Sequence, residues 1–118
     1  MSDARYRNLE QFGLRVAGPS MNEVYPEGSI VVCVNLKDLG REPRPGERVI
    51  VERHGASGLV EITVKELRRD ESGDYWLWPR STHPAFQQPW KWPQPQDEHS
   101  GEDIQVIALV IGSYRPEA

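Results

Sequence analysis

Val60-Glu61-Ile62-Thr63-Val64-Lys65 alternates aliphatic and polar side chains over six residues. Such alternation is the pattern of a β-strand with one face on a hydrophobic core. It places Lys65 on the polar face, beside Glu61 and Thr63, so the alternation taken alone predicts a lysine that is exposed to solvent.

Short runs rich in valine and isoleucine, bounded by glycine or proline, recur along the chain and indicate further strands. The predicted strands are Leu14 to Ala17, Ser29 to Val34, Arg48 to Arg53, Leu59 to Arg69, Asp74 to Trp78 and Ile104 to Tyr114. Ten glycines and ten prolines leave room for few helices longer than a turn or two. Polar segments containing glycine at 54–58 and 70–74 indicate hairpin connections. We therefore predict a mostly β fold: a small single domain over residues 1–118, with twisted antiparallel sheets, hairpins and little helix.

Length and charge exclude several classes of protein. A chain of 118 residues can bury one core without metal or disulfides. The net charge of -4 argues against direct binding of a nucleic-acid backbone by this chain. The first residues do not form a signal segment, and no apolar run is long enough to span a bilayer, so we expect no membrane association.

Cys33 is the only cysteine and lies in the apolar run 30–34. It can form no internal disulfide, and we expect it to be a small buried side chain in a strand. A reducing, cytoplasmic location fits this cysteine usage best. His54, His83 and His99 lack metal-ligand spacing, and no phosphate loop or dinucleotide fingerprint occurs, so we expect neither a metal nor a cofactor.

The segment 84–95 is rich in proline and tryptophan, and 96–103 is polar and acidic. We expect this stretch to form a long loop or an extended arm. Two Trp-x-Trp pairs, Trp76 with Trp78 and Trp90 with Trp92, place both rings of a pair on one side of a strand. The simpler prediction is that one pair packs against the core. The alternative is that the arm contributes aromatic side chains to a dimer interface.

Ser20 and Lys65 form the most informative pairing in the chain. A serine hydroxyl is a poor nucleophile until a neighbouring base takes its proton, and an unprotonated lysine can be that base in place of histidine. If the fold brings the two side chains together, they form an acyl-transfer site. Taken singly, the serine lies in an ordinary Gly-Pro-Ser turn and the lysine is an exposed strand residue, so the pair gains its meaning from the motifs around it.

Those motifs follow one another in a fixed order. They are Gly18-Pro19-Ser20-Met21, Pro26-Glu27-Gly28-Ser29, Pro45-Gly46-Glu47-Arg48-Val49, Thr63-Val64-Lys65-Glu66-Leu67, Trp78 to Pro84 and Ile104 to Tyr114. In this order they resemble the self-cleaving LexA and phage-repressor peptidase family from the nucleophile segment to the closing strand. The chain departs from the family pattern at four places: Ser29 and Glu47 stand for aspartates, Glu66 for a basic residue, and Thr82-His83 for a frequent asparagine. None of these changes removes a catalytic group.

The resemblance implies a role for each residue of the candidate site. Ser20 is the nucleophile and Lys65 the general base, and the backbone N–H groups of Ser20 and Met21 form the oxyanion hole. Gly18 allows the tight turn that brings the backbone close to a substrate carbonyl. Lys65 must be desolvated against apolar neighbours, because burial disfavours the ammonium form and lowers its pKa.

The function implied is that of the C-terminal autoproteolytic and dimerisation domain of a phage-type or SOS-type transcriptional repressor. Members of the family cleave an Ala-Gly-like bond upstream of the domain; Ala17-Gly18 is too close to Ser20 to serve. We expect a homodimer, a RecA filament as the stimulator of cleavage, and contact with operator DNA only through an N-terminal DNA-binding domain that is absent here. One alternative is a catalytically silent dimerisation or effector-sensing module. The other is a signal-peptidase-like enzyme, which requires a membrane anchor upstream of Met1.

Overall fold

The computed structural model describes residues 6, 8–18, 21–55, 57–84, 87–92 and 103–116. In these ranges the chain forms seven strands and a single helical turn. They are β1 (Gln11–Arg15), β2 (Ile30–Asn35), α1 (Leu36–Leu39), β3 (Arg48–His54), β4 (Val60–Arg69), β5 (Tyr75–Trp78), β6 (Trp90–Trp92) and β7 (Asp103–Tyr114). The predicted mostly β fold with little helix is confirmed.

The strands form one antiparallel sheet in the order β1-β2-β7-β3-β4-β5-β6. Consecutive strands β3, β4, β5 and β6 follow each other as hairpin neighbours, whereas β7 returns to lie between β2 and β3. The closing strand therefore joins the first part of the chain to the central meander.

Side chains are buried on both faces of this sheet. The first cluster comprises Val16, Met21, Tyr25, Val31, Cys33, Ile50, Val64 and Ala108, and the second comprises Val34, Val49, Val51, Leu67, Leu77 and Leu109. Neighbouring residues of β3 alternate between the two, with Ile50 in the first cluster and Val49 and Val51 in the second. Because β3 is covered on both faces, its buried part, residues 49–51, is a continuous aliphatic run rather than an alternating one.

The two Pro- and Gly-containing motifs before β2 and β3 are tight turns of the same kind. The Ser29 N–H donates to the Pro26 carbonyl at 3.0 Å, and the Glu47 N–H donates to the Arg44 carbonyl at 3.0 Å. In each turn the third residue is a glycine in the left-handed region, with φ of 90° at Gly28 and 92° at Gly46. These are the features of type II turns, which start β2 and β3 in register.

The structure differs from the sequence prediction at the tryptophan-rich segment. Trp90–Trp92 forms the edge strand β6, where a loop or extended arm was expected, because it pairs with β5 through Leu77↔Trp90 and Tyr75↔Trp92. Both rings pack against the second cluster. The prediction that one Trp-x-Trp pair packs against the core is therefore confirmed, while 93–102 lies outside the described residues.

Two smaller sequence expectations can be compared directly. Strand β1 begins at Gln11 rather than Leu14, because Gln11 pairs with Val34 at the far end of β2. Cys33 is fully buried in β2 as predicted, and burial raises the pKa of its thiol to about 12. The part of the chain that the structure describes contains no helix of the length and apolar character needed to cross a membrane.

Substituting Gly46 with alanine tests the turn that starts β3. A Cβ at Gly46 meets no atom within 4 Å, so its cost comes only from the left-handed backbone. We expect Gly46→Ala to lower the free energy of unfolding by about 1 kcal/mol in urea denaturation.

Gly112→Ala is the matched control, because its Cβ also meets nothing within 4 Å and its φ is not positive. It should leave the unfolding free energy unchanged or raise it slightly. If both substitutions lowered the free energy of unfolding equally, the loss in Gly46→Ala would not come from its left-handed backbone conformation.

Candidate active site

Lys65 is almost fully buried, with 3% of its surface exposed. Its cross-strand neighbour is Val49 of β3, and its Nζ lies 4.4 Å from the centroid of the Trp90 ring. Burial lowers the pKa of Lys65 to about 8, while Glu61 raises it and Arg53 lowers it by their charges. The chain thus holds a lysine whose neutral form is accessible near neutral pH.

Alternation alone predicted the face of β4 on which Lys65 lies but not its burial. Val64 belongs to the first cluster, whereas Lys65 lies against Trp90, which packs on the second. The expected solvent exposure is wrong because β6 brings an indole ring over this face. The desolvation that the family resemblance requires is therefore present.

Ser20 and Pro19 lie outside the described residues, so the nucleophile, its backbone N–H and its distance from Lys65 remain predictions. The residues on either side are described. Gly18 has a left-handed φ of 82°, as expected for a tight turn. On the other side, the Met21 carbonyl accepts hydrogen bonds from the N–H groups of Val24 at 3.0 Å and Tyr25 at 2.8 Å. A hydrogen-bonded turn therefore begins at Met21.

The segment that follows β5 holds this turn in place. The Glu23 N–H donates to the Arg80 carbonyl at 3.0 Å, and the Arg80 N–H donates to Met21 Sδ at 3.2 Å. Asn22 and Thr82 are joined twice, by a Thr82 N–H to Asn22 Oδ1 bond of 3.0 Å and an Asn22 Nδ2 to Thr82 Oγ1 bond of 3.2 Å. The turn after Ser20 is thus fixed by contacts some 60 residues away in sequence.

Glu66, next to Lys65, anchors the same region from β4. The residue is 7% exposed. Its carboxylate contacts three arginines of the described chain. Arg68 Nε lies at 2.8 Å, Arg80 Nη1 at 3.1 Å and Arg48 Nη2 at 3.4 Å. Burial alone raises the pKa of Glu66, but the hydrogen bond from Arg68 and the charges of Arg68, Arg80 and Arg48 outweigh it and hold the pKa below its usual range.

This carboxylate joins β4 to the turn after Ser20 through its arginines. Arg80 Nε also lies 3.7 Å from Glu23 Oε1, and the Arg48 guanidinium lies 5.6 Å from the Tyr25 ring centroid. Glu66 stands where the family has a basic residue, and its role was not predicted from the sequence. Arg80, within the motif 78–84, is one of its three partners.

An apolar cavity of about 220 Å³ lies beside the turn. Its lining residues are Leu14, Arg15, Val16, Ala17, Met21, Val31, Ile50, Ile62, Thr63 and Val64. The end of β1 and the middle of β4 form opposite walls, although three strands separate them in the sheet, so the sheet curls around the cavity. Ile62 is 57% exposed, and the cavity therefore opens to solvent along β4.

Both flanks of Ser20, Ala17 and Met21, line this cavity, whereas Lys65 is not among its lining residues. Val64 reaches the cavity from β4, and the next residue places its Nζ on the other face, against Trp90. The cavity walls were not predicted from the sequence, although Ile62, Thr63 and Val64 of the alternating run form one of them. Within the described residues, no group of three or more His, Cys, Asp or Glu side chains is placed to hold a metal ion.

Replacing Glu66 with glutamine should break the charge cluster while keeping the side-chain shape. Because three arginines lose their shared carboxylate, we expect the unfolding free energy at pH 7 to fall by about 2 kcal/mol. The wild-type advantage should decline as the pH falls below the ordinary carboxyl pKa, since the lowered pKa of Glu66 stabilises the fold only while it is ionised.

The matched control is Glu61→Gln in the same strand. The Glu61 side chain is 49% exposed and lies 3.5 Å from Arg53, so its loss should change stability by less than about 0.5 kcal/mol. Similar losses in both variants would contradict a special role for Glu66.

Replacing Lys65 with methionine should stabilise the fold near neutral pH, because it removes a buried ammonium. The pKa of Lys65 is about 10.5 in the unfolded chain and about 8 in the folded chain. Unfolding therefore takes up a proton between these values, and wild-type stability rises with pH there. We expect Lys65→Met to be more stable by roughly 2 to 3 kcal/mol at pH 7, with the difference shrinking toward pH 10.5.

Chemical denaturation across this pH range provides the measurement. Lys91→Met, at a side chain 45% exposed, is the control and should give a small difference. A Lys65→Met difference that does not change with pH would contradict a depressed lysine pKa.

Comparison with known proteins identifies the family of the chain. No curated protein matches the chain significantly. The family model described as peptidase S24-like matches residues 3–111, nearly the whole chain. The matched range includes both flanks of Ser20 and the strand of Lys65. The chain therefore belongs to the peptidase S24-like family, that of the LexA and phage-repressor C-terminal peptidases.

Proposed function

We propose that this chain is the autoproteolytic and dimerisation domain of a phage-type or SOS-type transcriptional repressor. Ser20 is the nucleophile and Lys65 the general base of a serine endopeptidase that cleaves an Ala-Gly-like bond upstream of the domain. The observation that carries the proposal is the burial of Lys65, whose pKa is lowered to about 8, in the strand that also forms a wall of the cavity lined by Ala17 and Met21.

The reaction follows from these groups as an acyl transfer. Ser20 Oγ attacks the carbonyl carbon of the scissile bond while its proton passes to the neutral Nζ of Lys65. The backbone N–H groups of Ser20 and Met21 receive the negative charge that develops on the carbonyl oxygen. The C–N bond then breaks, the amine leaves with the proton from Lys65, and water releases the acyl group from Ser20 by the reverse sequence of proton transfers.

The cavity and the adjacent edge of β4 suit a peptide substrate in an extended conformation. In the described chain, residues 60–65 of β4 pair with β3 on one side, and pairing with β5 begins only at Glu66. The other edge of this segment can therefore hydrogen-bond to a peptide backbone. Aliphatic walls at Val16, Ile50 and Val64 suit small apolar side chains on either side of the scissile bond.

Cleavage of this kind suits a repressor switch. A dimer of this domain raises the effective concentration of a second DNA-binding head, and cutting the chain between domains removes that advantage. In this proposal the homodimer forms in the cytoplasm, a RecA filament stimulates cleavage, and operator DNA is bound only through the N-terminal domain.

A second candidate, a catalytically silent dimerisation or effector-sensing module, is favoured by the position of the lysine amine. Nζ lies 4.4 Å from the Trp90 ring, on the face of β4 opposite to the cavity-lining Val64. In the silent module the amine stays on this ring and takes no part in catalysis. The two candidates differ in whether the amine leaves the ring when it loses its proton.

Cleavage of an added peptide tests the first candidate. A peptide containing Ala-Gly between apolar residues is incubated with the chain from about pH 6 to about pH 10, and products are measured by mass spectrometry. We expect the rate to rise about tenfold per pH unit below pH 8 and to level off above it, because the neutral fraction of Lys65 follows this curve.

Ser20→Ala and Lys65→Met should each abolish this cleavage, while Lys91→Met should not change it. Cutting that persists in both of the first two variants would rule out the assigned pair. A folded wild-type chain that cuts nothing at any pH selects the silent module.

A further inference from the structure

The Trp90 ring contacts two cations, Lys65 and Arg53. Its ring centroid lies 4.4 Å from Lys65 Nζ and 5.0 Å from the Arg53 guanidinium carbon. The face of an indole ring carries partial negative charge and attracts cations within about 6 Å. Trp90 belongs to the tryptophan-rich segment for which the proposed reaction has no use.

We propose that Trp90 is a positioning residue for Lys65. Its ring holds the ammonium form on the face of β4 away from the cavity, and the side chain leaves the ring only as the neutral amine. The inference rests on the proposed function for its catalytic meaning. The contact itself is a property of the fold and can be tested without activity.

The geometry gives the ring two opposing effects on the charge of Lys65. As a cover it excludes water, which disfavours the ammonium; as a π face it attracts the ammonium. The other charged groups facing Lys65 are Arg53 of β3 and Glu61 of β4, which oppose each other. Tyr75 of β5 lies further along the same face, and Tyr6 packs against the same cluster.

Leucine and phenylalanine at position 90 separate these two effects. Trp90→Leu keeps an apolar cover but removes the π face, so the ammonium should lose its attraction and the protonation equilibrium should shift about tenfold toward the neutral amine. Trp90→Phe keeps a weaker π face and should lie between wild type and Trp90→Leu. Trp92→Leu, in the same strand and cluster, removes an indole ring two residues away and should leave the equilibrium unchanged.

The experiment is an NMR titration of the chain labelled with ¹³C-lysine, from about pH 6 to about pH 11. The chain has three lysines, and the Lys65→Met spectrum identifies the resonances of Lys65. In wild type we expect the ε-methylene protons of Lys65 to be shifted upfield by the ring at low pH and to lose this shift as the amine deprotonates. In Trp90→Leu the upfield shift should be absent and the titration should move to lower pH.

An upfield shift that persists through deprotonation would overturn the proposal, because the ring would then hold both forms equally. An unchanged titration in Trp90→Leu would overturn it as well. If Trp90→Leu does not fold, the wild-type shift and the Trp90→Phe titration still decide. Because the titration needs no cleavage, a wild type that titrates as expected but never cuts would contradict the proposed function alone, and cleavage without the ring-current change would contradict this inference alone.

Discussion

The burial of one ammonium group, that of Lys65, is the constraint around which the site is built. Burial of a lysine costs free energy in proportion to the fall in its pKa, and here the pKa reaches about 8. The surrounding strands must therefore supply enough apolar contact to hold it there. Val49 lies beside Lys65 on the neighbouring strand, and the Trp90 ring covers it. Trp90 belongs to β6, which pairs with β5.

Glu66, the residue after Lys65, stabilises the region through ion pairs. Glu66 draws three arginines of the described chain together, and Arg80 extends the contact to Glu23 in the turn that follows Ser20. Strand β4 therefore carries two adjacent side chains with different roles: a lysine buried away from water on one face, and on the other a carboxylate that anchors the turn after Ser20. A strand is suited to this division because successive side chains point to opposite faces.

Local sequence rules predicted most of the fold but only part of the site. Aliphatic runs bounded by glycine and proline located β2, β3, β4, β5 and β7, and the glycines at 28 and 46 marked real turns. Alternation also assigned Lys65 to the correct face. It could not predict the burial of that face or the arginine cluster at Glu66, because both depend on residues 14 or more positions away in sequence, Trp90 and Arg80, which only the folded sheet brings near.

Covalent labelling of Ser20 tests whether Lys65 is the base that activates its hydroxyl. The chain is treated with a fluorophosphonate at pH values from about 6 to about 10, and the modified residue is identified by peptide mass spectrometry. We expect Ser20 to be labelled, labelling to increase as the pH passes through about 8, and Lys65→Met to abolish it. Labelling of Ser20 at the same rate in Lys65→Met, or labelling of other serines instead, would contradict the proposed pair.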